Sequence, residues 1–287
     1  MEDCKQKIRT LWISNSKNYV FPTNDEGKLS ALRNRWDASI YFISKIDLDK
    51  FPKCETIINR WFHKLCDLHS EPDRYYHTLC HLEEMFALVD ILLTQLKEDL
   101  SKHHSSCDCI DFNLYTGIVH QSIFFHDAIY NAKSATNEED SAALFKQFAN
   151  ELSEAVDDSL TISKEIVMII DKFIIATKSH VLDEDMNDVQ IEFLKIFLDA
   201  DMAVLGKQSD AYNYYAAMIR KEYQHVPHNV YCSKRAEILE SFVGKIGQKE
   251  KTVFTNKYML ESLENRAVEN LKNEISILKN GCIPDAC

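Results

Sequence analysis

Apolar residues recur along this chain at three- and four-residue spacing, the period that buries one face of a helix. Ten segments carry it, roughly 27–44, 52–68, 74–100, 111–130, 137–155, 161–180, 186–205, 208–223, 230–246 and 257–280. Only six glycines and five prolines punctuate the sequence, so an all-α helical bundle is the expected fold class. The stretch 1–50 contains the turn-rich NSKNYVFPTNDEGKLSA and is expected to pack on the core as an N-terminal extension without chemistry of its own. Residues 51–280 read as a single helical domain, and 281–287, GCIPDAC, as a short tail.

Four stripes are broken by side chains of metal-binding type. In YYHTLCHLEEMFALVDILL, His77 and His81 share a face, and His81 leads into Met85, Leu88 and Leu92. In FFHDAIYN, His126 lines up with Val119, Ile123 and Tyr130, with Asp127 about 100° around the helix. His180 continues the stripe Ile166, Ile170, Phe173, Thr177, and Asp201 continues Leu194 and Leu198 towards Leu205. Asp199 lies about 200° from Asp201, so periodicity turns Asp201 inward and leaves Asp199 for solvent or a hydrogen bond between helices.

Each intrusion alone has an ordinary reading: a core histidine bonded to a carbonyl, or a carboxylate capping a helix. An isolated buried carboxylate is costly, however, and is normally paired, hydrogen-bonded or bound to a metal. Four such positions on four helices are better explained if they meet. Two or three imidazoles with carboxylates suit a first-row divalent ion, and the lack of a cysteine ligand argues against purely structural zinc.

Composition narrows the options. A formal charge of -12 and a pI near 5.4 argue against a broad phosphate-neutralising surface, so no nucleic-acid partner is expected. The N-terminus lacks a signal-peptide core and no stretch approaches about 18 apolar residues, so a cytoplasmic protein without a membrane partner is expected. Nine irregularly placed cysteines suit reduced thiols. Cys107 and Cys109, downstream of His103 and His104, read as part of a polar loop better than as a zinc knuckle.

The order His81, His126-Asp127, Asp201 resembles the HD superfamily of metal-dependent phosphohydrolases, with its H...HD...D pattern on a helical bundle. More narrowly, RYYHTLCHLEEM, FFHDAIYN, NEEDSAALF, ATKSH, DADMAVLG, IRKEY and RAVENLKNE, spanning roughly residues 60–275, look like one little-characterised branch of predicted HD phosphohydrolases. The resemblance implies an HD-domain-like bundle and one divalent ion (Mn, Fe, Co, Ni, Zn or Mg) held by His81, His126, Asp127 and Asp201. Asp199 and His77 are the competing ligands, since the D-A-D segment offers two acids and His77 lies one turn from His81.

The implied activity is hydrolysis of a phosphate ester or anhydride in a small molecule, with nucleotides among the candidates. Asp127 would orient the water, and Glu138 at a following helix start could serve as acid or base, against a plain dipole role with Asn137 as cap. Arg74, Arg220 and Lys221 are candidate phosphate contacts, with His180 near the phosphate or structural. A catalytically silent nucleotide-binding module and an HD-type di-iron oxygenase are the alternatives; the latter requires more histidines.

Overall fold

The apolar stripes become eleven α-helices in a computed structural model that describes residues 2–14, 26–47, 50–103, 110–156, 162–183, 185–244 and 252–284. They are α1 (Glu2–Ser14), α2 (Glu26–Ser44), α3 (Pro52–Leu68), α4 (Leu79–His103), α5 (Phe112–Phe125), α6 (Asn137–Ser153), α7 (Lys164–Ala176), α8 (Asp188–Asp201), α9 (Ser209–Glu222), α10 (His228–Val243) and α11 (Lys257–Lys279). A 3₁₀ turn, Met202–Gly206, follows α8. The described residues contain no strand, and no described helix is long and apolar enough to cross a membrane. Cys107 and Cys109 lie outside the described residues; Cys4, Cys54, Cys66, Cys80, Cys232 and Cys282 carry free thiols.

Helix α5 runs through the middle. Every residue from Gly117 to Phe125 is buried, and α2, α4, α6, α7 and α8 pack around it. At Gly117 a Cβ would come within 2.8 Å of Phe42 and 2.9 Å of Ile43, so only glycine lets α2 approach this closely. Trp36 on α2 is fully buried against Phe62, Phe124, Phe125 and Phe148, and its indole N–H donates to Ile58 O. Helix α2 therefore belongs to the core itself and is no layer added to it.

Helix α1 is a departure from the expected turn-rich opening. Cys4, Ile8 and Trp12 form its buried stripe, it packs on α11 and α4, and the Trp12 N–H donates to Ala203 O. Among the helices that end short of their patterns, three carry site residues at the trimmed ends. The 74–100 pattern begins its helix at Leu79, the 111–130 pattern stops at Phe125, and the 161–180 pattern stops at Ala176. Those trimmed ends carry His77, His126, Asp127 and His180.

Candidate metal centre

Local chemistry ends each helix where a site residue stands. In the turn before α4, the backbone N–H groups of Tyr75, Tyr76 and His77 all donate to Glu222 Oε1, at 2.7, 2.7 and 3.2 Å. A side chain thereby satisfies donors near a helix start. After α5, Ser141 Oγ accepts from Ile129 N and donates to Ile129 O, fixing the chain beyond the His126-Asp127 pair. After α7, His180 takes a left-handed conformation (φ 52°), uncommon for a residue with a Cβ, while its N–H still bonds Ala176 O.

These ends converge. His81 Nε2 lies 3.0 Å from Asp201 Oδ1, and His180 Nε2 lies 2.9 Å from Asp201 Oδ2. His126 Nε2 lies 3.1 Å from Asp127 Oδ2 and 3.7 Å from Asp201 Oδ1. One ligand atom each from His81, His126 and Asp127 falls within 4.8 Å of the others, a group that could hold a metal ion. The His81 and His126 side chains form the floor, at most 2% exposed, whereas those of Asp127, Asp201, His77 and His180 are 15–18% exposed and form the mouth.

His126 supplies the test of fit. Its Nδ1 lies 3.0 Å from the carbonyl of Ile123, which can only accept, so Nδ1 carries the proton. In the neutral ring Nε2 is then a lone pair, buried, without a hydrogen bond, and facing two carboxylate oxygens. The 3.1 Å approach to Asp127 lacks hydrogen-bond alignment; two acceptors meet there. Only a proton or a metal cation relieves that arrangement. The donor set of imidazoles and carboxylates, with Nδ1–H anchored on a backbone carbonyl, suits a divalent ion.

The electrostatics agree. Burial opposes charge on His126, but Asp127 and Asp201 outweigh it and hold its pKa well above the usual value. Burial likewise opposes ionisation of Asp127 and Asp201, and His126 with its neighbouring imidazoles holds both carboxyls below the usual range. Helix α5 is capped at its C-terminal end by His126 and α8 ends at Asp201, so both termini add partial negative charge that favours a cation.

The two acids of the D-A-D segment part company. Asp201 meets three histidines, whereas Asp199, more deeply buried, accepts from Thr255 N, Thr255 Oγ1 and Asn256 N. Burial pushes the Asp199 pKa up to about 7 despite those bonds, and it holds the start of α11 instead of the cluster. His77 stands beside the cluster, with Nε2 3.9 Å from Asp127 Oδ2 and Nδ1 2.7 Å from Glu222 Oε2.

The expected cations are engaged elsewhere. Buried Arg74 donates to Glu71 and to the carbonyls of His77, Asp127 and Ala128, tying the two site turns together. Arg220 donates to Tyr223 O and Val226 O, closing the C-terminal end of α9. Lys221 is exposed, its ammonium 5.5 Å from the Tyr75 ring. Glu138 lies 3.9 Å from Lys178, and among the described residues no hydrogen bond or ion pair joins it to the cluster. Asn137 is not the α6 cap; its amide bonds Asn131 N and O, and Thr136 stands at the cap position.

Glu222 is the site residue the sequence reading missed. Its carboxylate, fully buried, also accepts from the Tyr130 hydroxyl, and Tyr130 stacks on His77 at 4.1 Å. Burial works against its charge, but His77 and the surrounding N–H groups hold its pKa below the usual carboxylate value. The signal was the one that picked out Asp201: Tyr212, Tyr215, Ile219 and Glu222 form one buried stripe with an acid at its end.

No protein-family model matches the chain, and neither the curated proteins nor the solved structures contain a match to it.

Proposed function

We propose that this protein is a metal-dependent phosphohydrolase of the HD type, cleaving a phosphate ester or anhydride of a small molecule such as a nucleotide. The observation that carries the reading is the unpartnered Nε2 of His126, aimed between Asp127 and Asp201 with His81 alongside. His81, His126, Asp127 and Asp201 would hold one divalent ion. Such an ion, when bound, lowers the pKa of water and offsets charge on a phosphoryl oxygen.

The chain's own residues supply orientation and proton handling. Asp127 and Asp201 sit at the exposed mouth, where a free carboxylate lone pair can accept from a water and aim it. His77 donates a hydrogen bond from Nδ1–H to Glu222, leaving Nε2 able to take a proton near Asp127. His180, held at the mouth by Asp201, would contact a phosphate oxygen, and exposed Lys221, which has no ion pair among the described residues, would supply a cation.

The test is metal analysis of chelator-free protein beside Asp127→Ala, with phosphate release from a nucleotide panel measured on both. One equivalent of metal and metal-dependent release, both lost in the variant, are expected. Wild-type protein that holds no metal and cannot be loaded would overturn the reading. His77 and His180 raise the local imidazole count to four, the specific feature that favours the di-iron oxygenase as second reading. Two irons with oxygen uptake and no phosphate release would select it.

A further inference from the structure

Beside His81 lies a cavity of about 580 Å³ between the end of α3, the turn before α4, and α9. That is the size range of small-molecule sites. His126, Asp127 and Asp201 do not line it; His81 and Tyr76 are the shared wall. Its chemistry differs from that of the metal cluster in three respects.

First, it is aromatic. Tyr75, Tyr76, Tyr214 and Tyr215 all line it, with Met218 and Leu79 completing an apolar surface for a flat ring. Second, its charge disfavours phosphate. Glu71 is paired with Arg74 and Glu84 with Lys207, while Asp67 has no ion pair among the described residues, so the lining keeps a net negative charge. Third, it contains an acceptor that lacks a partner. His69 Nε2 faces Phe124 O at 3.3 Å and so carries the proton, which leaves Nδ1 a buried acceptor with nothing bonded to it. Burial and nearby Arg74 push the His69 pKa down to about 3, so the ring is neutral at ordinary pH.

We infer that this cavity binds a planar heteroaromatic group with a hydrogen-bond donor on its edge, as every nucleobase carries, presented without phosphate. The donor meets His69 Nδ1, and the tyrosines cover the ring faces. The inference deepens the phosphohydrolase reading by giving the organic half of the substrate a place. The same chemistry would come from a separate nucleoside bound beside the reaction.

The test is calorimetric titration of adenosine, guanosine, cytidine, uridine and thymidine into metal-stripped full-length protein. Saturable binding of at least one nucleoside is expected in the wild type and in Asp127→Ala, weakened about tenfold in His69→Phe, which keeps the ring and removes the acceptor. Ala211→Trp and Met218→Trp, which fill the cavity from α9, should each abolish it, with thermal melts reporting whether each variant folds. Absence of binding by every nucleoside, or wild-type affinity in a folded Trp variant, overturns the inference. Because no metal is present, failed hydrolysis leaves this result untouched, and failed nucleoside binding leaves the metal reading standing. Competition between the bound nucleoside and the hydrolysed phosphate ester identifies the base of the substrate; simultaneous binding identifies a separate ligand.

Discussion

Two groups of histidines are buried in this protein to nearly the same depth and behave in opposite ways. His81 and His126 stand among carboxylates, and His126 is driven towards its charged form. His69 and His120 stand among rings and carbonyls, and burial lowers their pKa to about 3 and about 4. Both His120 ring nitrogens are buried without partners beside Phe86, so it resembles an orphaned core polar group more than a ligand. Burial of a histidine is therefore uninformative by itself; the carboxylate that meets it decides whether the pocket attracts a cation or rejects a proton.

The comparison breaks most sharply at the two aspartates of α8. Asp201→Ala removes the shared partner of His81, His126 and His180, and metal affinity should fall roughly a hundredfold or more. Asp199→Ala should leave metal content unchanged and cost about 2 kcal/mol of stability, because the N–H groups it satisfies are left bare. Equilibrium dialysis and chemical denaturation on both variants separate the outcomes. Metal loss in Asp199→Ala would reverse the assignment.

Acid titration sharpens the other half. The folded pKa of His120 lies near 4, below the ordinary 6.5, so the unfolded chain takes the proton first as pH falls. Stability contributed by the neutral ring is complete above about pH 6.5 and drains away down to about pH 4, by about 3 kcal/mol in all. His69 adds to the same slope. Unfolding free energies across that window should flatten in His120→Leu, which exchanges an orphaned imidazole for an apolar side chain.

The smallest effect is expected at Glu222→Gln. The amide cannot accept from both sides, so the His77 proton moves to Nε2, facing Asp127. Phosphate release should drop about tenfold with metal content retained, and the His77 ¹⁵N shifts should report the exchanged tautomer. Unchanged shifts would sink the orienting role.

Much of this was legible in the sequence. The ten periodic segments locate α2 to α11, and the inward register of His81, His126 and Asp201 follows from neighbours such as Met85, Ile123 and Leu198. Asp199 was the informative half-failure: periodicity kept it off the Asp201 face, but its burial depends on Thr255 and Asn256, more than fifty residues away. Helix α1 was hidden behind the turn-rich stretch that follows it, although Cys4, Ile8 and Trp12 are spaced for a stripe. The helix ends at Leu79, Phe125 and Ala176 were illegible because side chains distant in sequence impose two of them, Glu222 at the turn before α4 and Ser141 beyond α5. The partners of the expected cations were illegible for a related reason, since a sequence does not reveal that Arg74 is surrounded by carbonyls.

That arginine has a mechanical consequence. With one guanidinium bonded to His77 O, Asp127 O and Ala128 O, and one carboxylate bonded to the three N–H groups opposite, the two turns move as a single stapled piece. An arriving ion would then find its ligands already spaced, and little of its binding free energy would go into ordering the chain. The centre should release and regain its ion without the bundle loosening, behaving as a rigid socket rather than as a fold assembled around a metal.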